Sequence, residues 1–183
     1  MKRLVILVVI SVLSNCIVCF SSVNGQSAVV KEKRPQLVVE LISDKAVYRS
    51  KEDISLKVMI TNDGLVDDLF IYGELGFGYA ASLTLFRRDA KGREVPTRFI
   101  DDSRGNPPNL SDPNTFVKLC PGHFLGISYE SSIYNLNLDR PGKYRLWVEY
   151  HSPIAKSEVK SASFWSSEDG NVRSNVLEIV VRP

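Results

Sequence analysis

The sequence predicts an all-β sandwich of two antiparallel sheets with about eight or nine short strands. Three observations point there. Apolar and polar residues alternate with a period of two in the best-defined segments. Turn-forming residues separate those segments at short intervals. No long stretch carries a helical repeat. Short strands bury their apolar faces only by packing as two layers around one core; a closed barrel is the second arrangement that would serve. The 44% hydrophobic fraction supplies apolar material for such a core.

The first 25 residues read as a secretory signal peptide. Lys2 and Arg3 form a positive start, and Leu4 to Leu13 is apolar except for Ser11. Val23 and Gly25 sit as the −3 and −1 residues of a cleavage site, so Gln26 would begin the mature chain. Leu4 to Phe20 is 17 residues and includes Ser14 and Asn15, against about 20 predominantly apolar residues for a permanent span. The sequence thus predicts an exported, periplasmic or secreted protein with no transmembrane span in its mature chain. A second reading takes Leu13-Ser14-Asn15-Cys16 as a lipobox-like stretch, with a lipid anchor at Cys16. Residues 26–35 are polar and charged, ending in Lys31-Glu32-Lys33-Arg34-Pro35. They read as a flexible linker into a single domain over 36–183.

The strands follow in order. Leu37 to Ile42 is a β-rich run bounded by Ser43 and Asp44. In Asp53 to Thr61, Ile54, Leu56, Val58 and Ile60 share one face; Ser55, Lys57 and Thr61 share the other, with Met59 as the apolar exception. Asn62-Asp63-Gly64 ends this strand with residues that tolerate a left-handed backbone. Leu69 to Tyr72 is next. Ser82 to Arg87 runs into Asp89-Ala90-Lys91-Gly92 and then Glu94-Val95, a hairpin with glycine at the positive-φ position; Thr97 to Ile100 is its extension. Thr115 to Leu119 and Phe124 to Tyr129 flank Pro121-Gly122. In Lys143 to Tyr150, Tyr144, Leu146, Val148 and Tyr150 share a face, with Trp147 opposite beside Arg145 and Glu149. Asn175 to Val181 closes the domain. Asn135 to Asp139 and Ser161 to Trp165 each suit one turn of helix.

Several of these runs resemble known exported domains. Leu56-Lys57-Val58-Met59-Ile60-Thr61-Asn62-Asp63-Gly64 resembles the second strand of many immunoglobulin-like domains. Phe116 to Gly122, Tyr134-Asn135-Leu136 and Pro141-Gly142-Lys143-Tyr144 look like the accessory β-sandwich that precedes the catalytic domain in deuterolysin-like metalloendopeptidases. Ser174-Asn175-Val176 before a last strand is similar to the same sandwiches. The likeness spans Leu37 to Val181 and implies an immunoglobulin-like sandwich in an exported setting. It carries over no catalysis, because no His-Glu-x-x-His segment occurs. A looser resemblance is to small β-sandwich proteinase inhibitors, with no matching reactive loop.

Charge and chemistry narrow the function classes. Removing Lys2 and Arg3 with the leader brings the 23 basic residues down to equal the 21 acidic ones. A neutral chain is a poor general polyanion binder. Arg87, Arg88, Lys91 and Arg93 form a basic patch without interleaved aromatics and read as a solvated hairpin tip, so no nucleic-acid partner is expected. The only imidazoles are His123 and His151, both at strand or turn ends, too few for an ordinary catalytic metal site. No Gly-x-Ser-x-Gly elbow supports a triad. Cys16 and Cys19 leave with the leader, so Cys120 has no partner for an internal disulfide. It reads as a small buried apolar residue, or as an exposed thiol able to join another chain. No cofactor is implied, and the chain reads as a nonenzyme.

Two loops are the candidate partner-binding surfaces. One is Gly73 to Ala81, where Phe77 and Tyr79 stand between glycines as aromatic anchors or as a cover over the sandwich edge. The other is Asp101 to Asn114, with Pro107, Pro108 and Pro113; loops this long are uncommon without a role. Within it Asp101, Asp102, Asn109 and Asp112 are candidate partner contacts, and with Asn106 they offer hard oxygens for calcium, though not at the spacing of a helix-loop-helix calcium motif. The function expected is a noncatalytic exported binding or accessory module that recognises a protein or cell-envelope component. The alternatives are a structural envelope-associated protein and a proteinase inhibitor.

Overall fold

Eleven strands in three sheets, with three short 3₁₀ turns, make up the described part of the chain. The computed structural model describes residues 36–65, 67–77, 82–88, 92–97, 108–133, 136–138, 140–159 and 163–183. The strands are β1 (Leu37–Ser43), β2 (Val47–Arg49), β3 (Asp53–Asn62), β4 (Leu69–Tyr72), β5 (Leu83–Arg88) and β6 (Glu94–Pro96). They continue with β7 (Phe116–Leu119), β8 (Phe124–Ser132), β9 (Gly142–Tyr150), β10 (Val172–Arg173) and β11 (Leu177–Arg182). Among the described residues no helix is long and apolar enough to cross a membrane.

The first sheet has the order β1–β3–β8 and is antiparallel throughout. The second has the order β2–β11–β9–β5–β6, with β10 also paired to β9. Its β2–β11 pair is parallel and its other pairs are antiparallel. The third is the antiparallel pair β4–β7. The expected period of two is realised in β3: Ile54, Leu56, Val58, Ile60 and Asn62 are buried, while Asp53 and Lys57 are exposed. In β9 Tyr144, Leu146, Val148 and Tyr150 are buried likewise. These rows join Leu37, Val39 and Leu41 of β1, Leu83 and Leu85 of β5, and Ile179 and Val181 of β11 in one core. The domain is all-β, with a β-sandwich-type core shared by its two larger sheets.

The two-sheet, eight- or nine-strand expectation is corrected in three respects. Two strands, β2 and β10, carry only three and two residues, too few for a periodic signal. The chain switches sheets between β1 and β2, and β2 then lies parallel to β11. Finally, β4 and β7 pair with each other instead of extending either large sheet. The helical turn expected near Ser161 to Trp165 is not formed in its described part, because Phe164 makes a β-bridge with Phe70. Asn137 takes a left-handed φ of 54° within a turn, and Asn135 and Asp139 lie outside the described residues.

Polar clasps fasten the strand ends. The side chain of Asn62 is fully buried. Its Nδ2 donates to the carbonyls of Asp67 at 2.8 Å and Leu119 at 2.9 Å, and its Oδ1 accepts from the Gly64 amide at 3.0 Å. One amide thus ties the end of β3 to the entry of β4 and the end of β7. Asn175 clasps β1 across the sandwich: its Oδ1 accepts from the Leu41 amide at 2.7 Å and its Nδ2 donates to the Leu41 carbonyl at 3.0 Å. Ser174 Oγ beside it accepts from the Val148 amide at 2.9 Å. Between β7 and β8, the His123 amide donates to the Cys120 carbonyl and Gly122 has φ +76°. Proline followed by a positive-φ glycine is the pattern of a type II turn.

Candidate functional site

Because Tyr144, Leu146, Val148 and Tyr150 face the core, Arg145, Trp147 and Glu149 project from the other side of β9. Register then assembles a surface around them. Arg88 of β5 lies opposite Arg145, and Glu178 of β11 lies on the far side of Arg145. Arg88 is also opposite Glu94 of β6. The result is a charge row Glu94–Arg88–Arg145–Glu178 across four strands. Phe86 is opposite Trp147, and Arg173 of β10 is opposite Glu149.

Trp147 is only 2% exposed although it projects away from the core. Phe86 stacks against it with ring centroids 5.6 Å apart and planes within 5°. The Arg173 guanidinium lies 4.2 Å from the ring centroid and that of Arg88 5.9 Å, both in the range of a cation–π contact. The indole Nε1 of Trp147 and the Nε of Arg88 are buried with no hydrogen-bond partner. Arg145 pairs with Glu178 at 2.8 Å, both well exposed, and Arg88 pairs with Glu94. Arg88, Arg145, Trp147, Arg173, Val176 and Glu178 line a cleft of about 310 Å³. Three guanidinium groups therefore face one carboxylate within it. A second hollow, at the β2 edge, is lined by Val47, Tyr48, Arg49, Glu52, Arg182 and Pro183.

The loop candidates are placed differently. Phe77 is 7% exposed, belongs to the core cluster and meets the Tyr129 ring edge-on at 5.4 Å. Its ring is packing material in this structure and not an exposed anchor. Asn109 Oδ1 accepts from the Ser111 amide at 3.1 Å, and Asp112 Oδ1 accepts from the Asn114 amide at 2.8 Å. Both side chains therefore support local turns; Asp112 caps the 3₁₀ turn Pro113–Thr115. Tyr79, Asp101 and Asp102 lie outside the described residues. No group of three or more His, Cys, Asp or Glu side chains among the described residues is placed to hold a metal ion.

A second polar cluster surrounds Cys120, which is half-buried and in no disulfide. Asp68 pairs with Lys118 at 2.6 Å. That lysine, and then the Cys120 side chain, hold the Asp68 carboxyl below the usual range, and Asp68 in turn raises the Lys118 ammonium. His123 is exposed on the same turn. This is a solvated ion pair at a strand end.

Sequence reasoning found Trp147 with Arg145 and Glu149 through the alternation of β9. It missed Arg88, Arg173 and Glu178 as companions. Arg88 reads locally as part of a hairpin tip, and only the β5–β9 register carries it to Trp147.

No known protein family matches the chain, and no curated protein matches it. Among solved structures, a mutant β-glucosidase from Listeria innocua in complex with laminaribiose aligns at TM-score 0.39 and 15% identity, over 81% of this chain and 16% of that one. A β-glucosidase from Erythrobacter marinus gives 0.37 and 12%, over 81% and 16%. Spo0M, a sporulation control protein from Bacillus subtilis, gives 0.39 and 11%, over 80% and 49%. The chain thus spans about a sixth of each glucosidase and about half of Spo0M. Likenesses at this level assign this chain no activity.

Proposed function

We propose that the chain is a noncatalytic exported binding or accessory module on an immunoglobulin-like sandwich, recognising a protein or cell-envelope component. The strand orders β1–β3–β8 and β11–β9–β5–β6 support the immunoglobulin-like reading, since they follow the A–B–E and G–F–C neighbourhoods of that fold. The leader up to Gly25 supports export. The observation that carries the binding role is the outward face of β5, β9, β10 and β11. It concentrates three arginines around a tryptophan at a cleft, although the core lies on the opposite side of the same strands. Arginine is among the residues enriched at binding hot spots, and the buried Trp147 ring underlies Arg88 and Arg173 here.

The test is co-sedimentation of purified residues 26–183 with the cell-envelope fraction of the source organism, before and after proteolysis of that fraction. Saturable binding without substrate turnover is expected, and its loss on proteolysis identifies a protein partner. Linear, unsaturable association, or turnover of envelope material by the pure chain, would defeat the reading.

A further inference from the structure

We propose that the Arg88–Arg145–Arg173 cleft over Trp147 is a carboxylate-binding site, and that its occupant is an acidic segment of a partner protein. The inference rests on the binding-module reading and gives its partner a chemistry. Positive charge at the cleft exceeds the carboxylates that answer it, three arginines against Glu94 and Glu178. Arg88 and Arg145 are directly opposite each other on neighbouring strands, and like charges so placed repel. Arg173 lies over the Trp147 ring, and no ion pair holds it among the described residues. Glu94 and Glu178 offset Arg88 and Arg145 only through exposed pairs at the ends of the row, and such pairs exchange readily with solvent.

An incoming carboxylate supplies an acceptor for Arg173 and for the exposed parts of the Arg88 and Arg145 guanidinium groups. Its two oxygens match the fork of a guanidinium, and it screens the Arg88–Arg145 repulsion. Val176, 47% exposed at the rim, offers apolar contact to the methylenes of a glutamate. The geometry disfavours a neutral sugar. Stacking needs an open ring face, whereas Trp147 is 2% exposed, with Phe86 stacked against it and Arg173 lying over its ring.

The experiment titrates ¹⁵N-labelled residues 26–183 with a hexaglutamate peptide and follows the two tryptophan indole cross-peaks. Trp165→Phe assigns them. Hexaglutamine, polygalacturonate and inorganic phosphate are titrated in parallel. The expected result is movement of the Trp147 peak with hexaglutamate and not with hexaglutamine, weakening as salt rises. Arg145→Ala and Arg173→Ala are each expected to weaken binding about tenfold, and Lys57→Ala, on the outer face of the other large sheet, to leave it unchanged. Thermal melts separate loss of fold from loss of binding. Arg88→Gln, which keeps a donor while removing the charge, is the second variant where an alanine fails to fold.

An unmoved Trp147 peak at millimolar peptide, or unchanged binding in both alanine variants, would overturn the site. Tighter binding of polygalacturonate or phosphate than of hexaglutamate would overturn its assignment to an acidic protein segment. Saturable envelope binding that persists in Arg145→Ala and Arg173→Ala would place the partner surface elsewhere while leaving the module reading intact. Failure of both experiments would remove both.

Discussion

A buried asparagine shows what a single side chain contributes here. Asn62 satisfies two backbone carbonyls and one amide, from the β3–β4 connection and the end of β7, and it is fully buried. Asn62→Ala removes the partner of all three. Buried polar groups left unsatisfied cost about 1–3 kcal/mol each, tempered by relaxation. The variant is expected to lose about 2–4 kcal/mol in urea unfolding, with an unchanged m-value. Tyr150 is the opposite case. Its ring is buried and its hydroxyl makes no well-formed hydrogen bond, with only the Tyr72 backbone near it, and burial, against that backbone's opposing effect, pushes its ionisation above the ordinary tyrosine range. Tyr150→Phe removes an unsatisfied group at constant shape, so equal or slightly greater stability is expected in the same assay. A loss above about 1 kcal/mol would mean that the hydroxyl has a partner in solution. Neither role was legible in the sequence. Asn62 reads there as a turn former, because Leu119 is distant in the chain, and Tyr150 reads only as one more inward residue of β9.

Between β1 and β2 the chain changes sheets, and a short polar knot sets that corner. Tyr48, buried in β2, donates its hydroxyl to Asp44 Oδ1 at 2.6 Å, and Asp44 Oδ1 also accepts from the Ser55 amide at 3.1 Å. The Tyr48 hydroxyl bond, with the Ser55 amide behind it, lowers the Asp44 pKa. Burial first, and then Asp44, push Tyr48 up to about 12. A carboxylate depressed in the fold binds its proton more tightly when unfolded. Its stabilisation is therefore present above the unfolded aspartate value, about 3.9, and is lost as pH falls through the lower folded value. For Tyr48 the sign reverses: its contribution is present below the ordinary tyrosine range near 10 and is lost as pH rises through about 12. Tyr48→Phe is expected to flatten the acid limb of a stability–pH profile measured from pH 2 to 6, while the parent keeps its slope; parallel limbs would show that the bond does not form in solution. At this scale the long alternating strands β3 and β9 were legible because a half-buried strand repeats every two residues. The strands β2 and β10 were not, because three and two residues contain no repeat. The same limit governs the cleft. Alternation yields Trp147 and Arg145 on one face, whereas Arg88 and Arg173 arrive through strand pairing, which composition does not encode locally.

For the molecule as a whole, the shared core and its polar clasps must supply the stability that export would permit a disulfide to supply. Cys16 and Cys19 lie outside the described residues, and Cys120 is in no disulfide. In the core, β1, β3, β5, β9 and β11 each contribute buried aliphatic or aromatic side chains, and Asn175 adds a two-bond clasp between sheets. Cross-links stabilise mainly by restricting the unfolded chain, by roughly 2–4 kcal/mol each. A domain without one has no such contribution to lose. Purified residues 26–183 are therefore expected to melt at the same temperature with and without dithiothreitol, within about 1 °C, where the loss of even 1 kcal/mol would shift the midpoint of a domain this size by about 2–4 °C. The half-buried Cys120 makes the comparison informative in a second way. If two copies join through it, the oxidised sample runs as a disulfide-linked dimer on a non-reducing gel. Reduction then changes the mass without moving the melting point, because the bond lies outside the core that unfolds. A reductant-dependent fall in melting temperature would instead show that the bond between copies braces the fold itself.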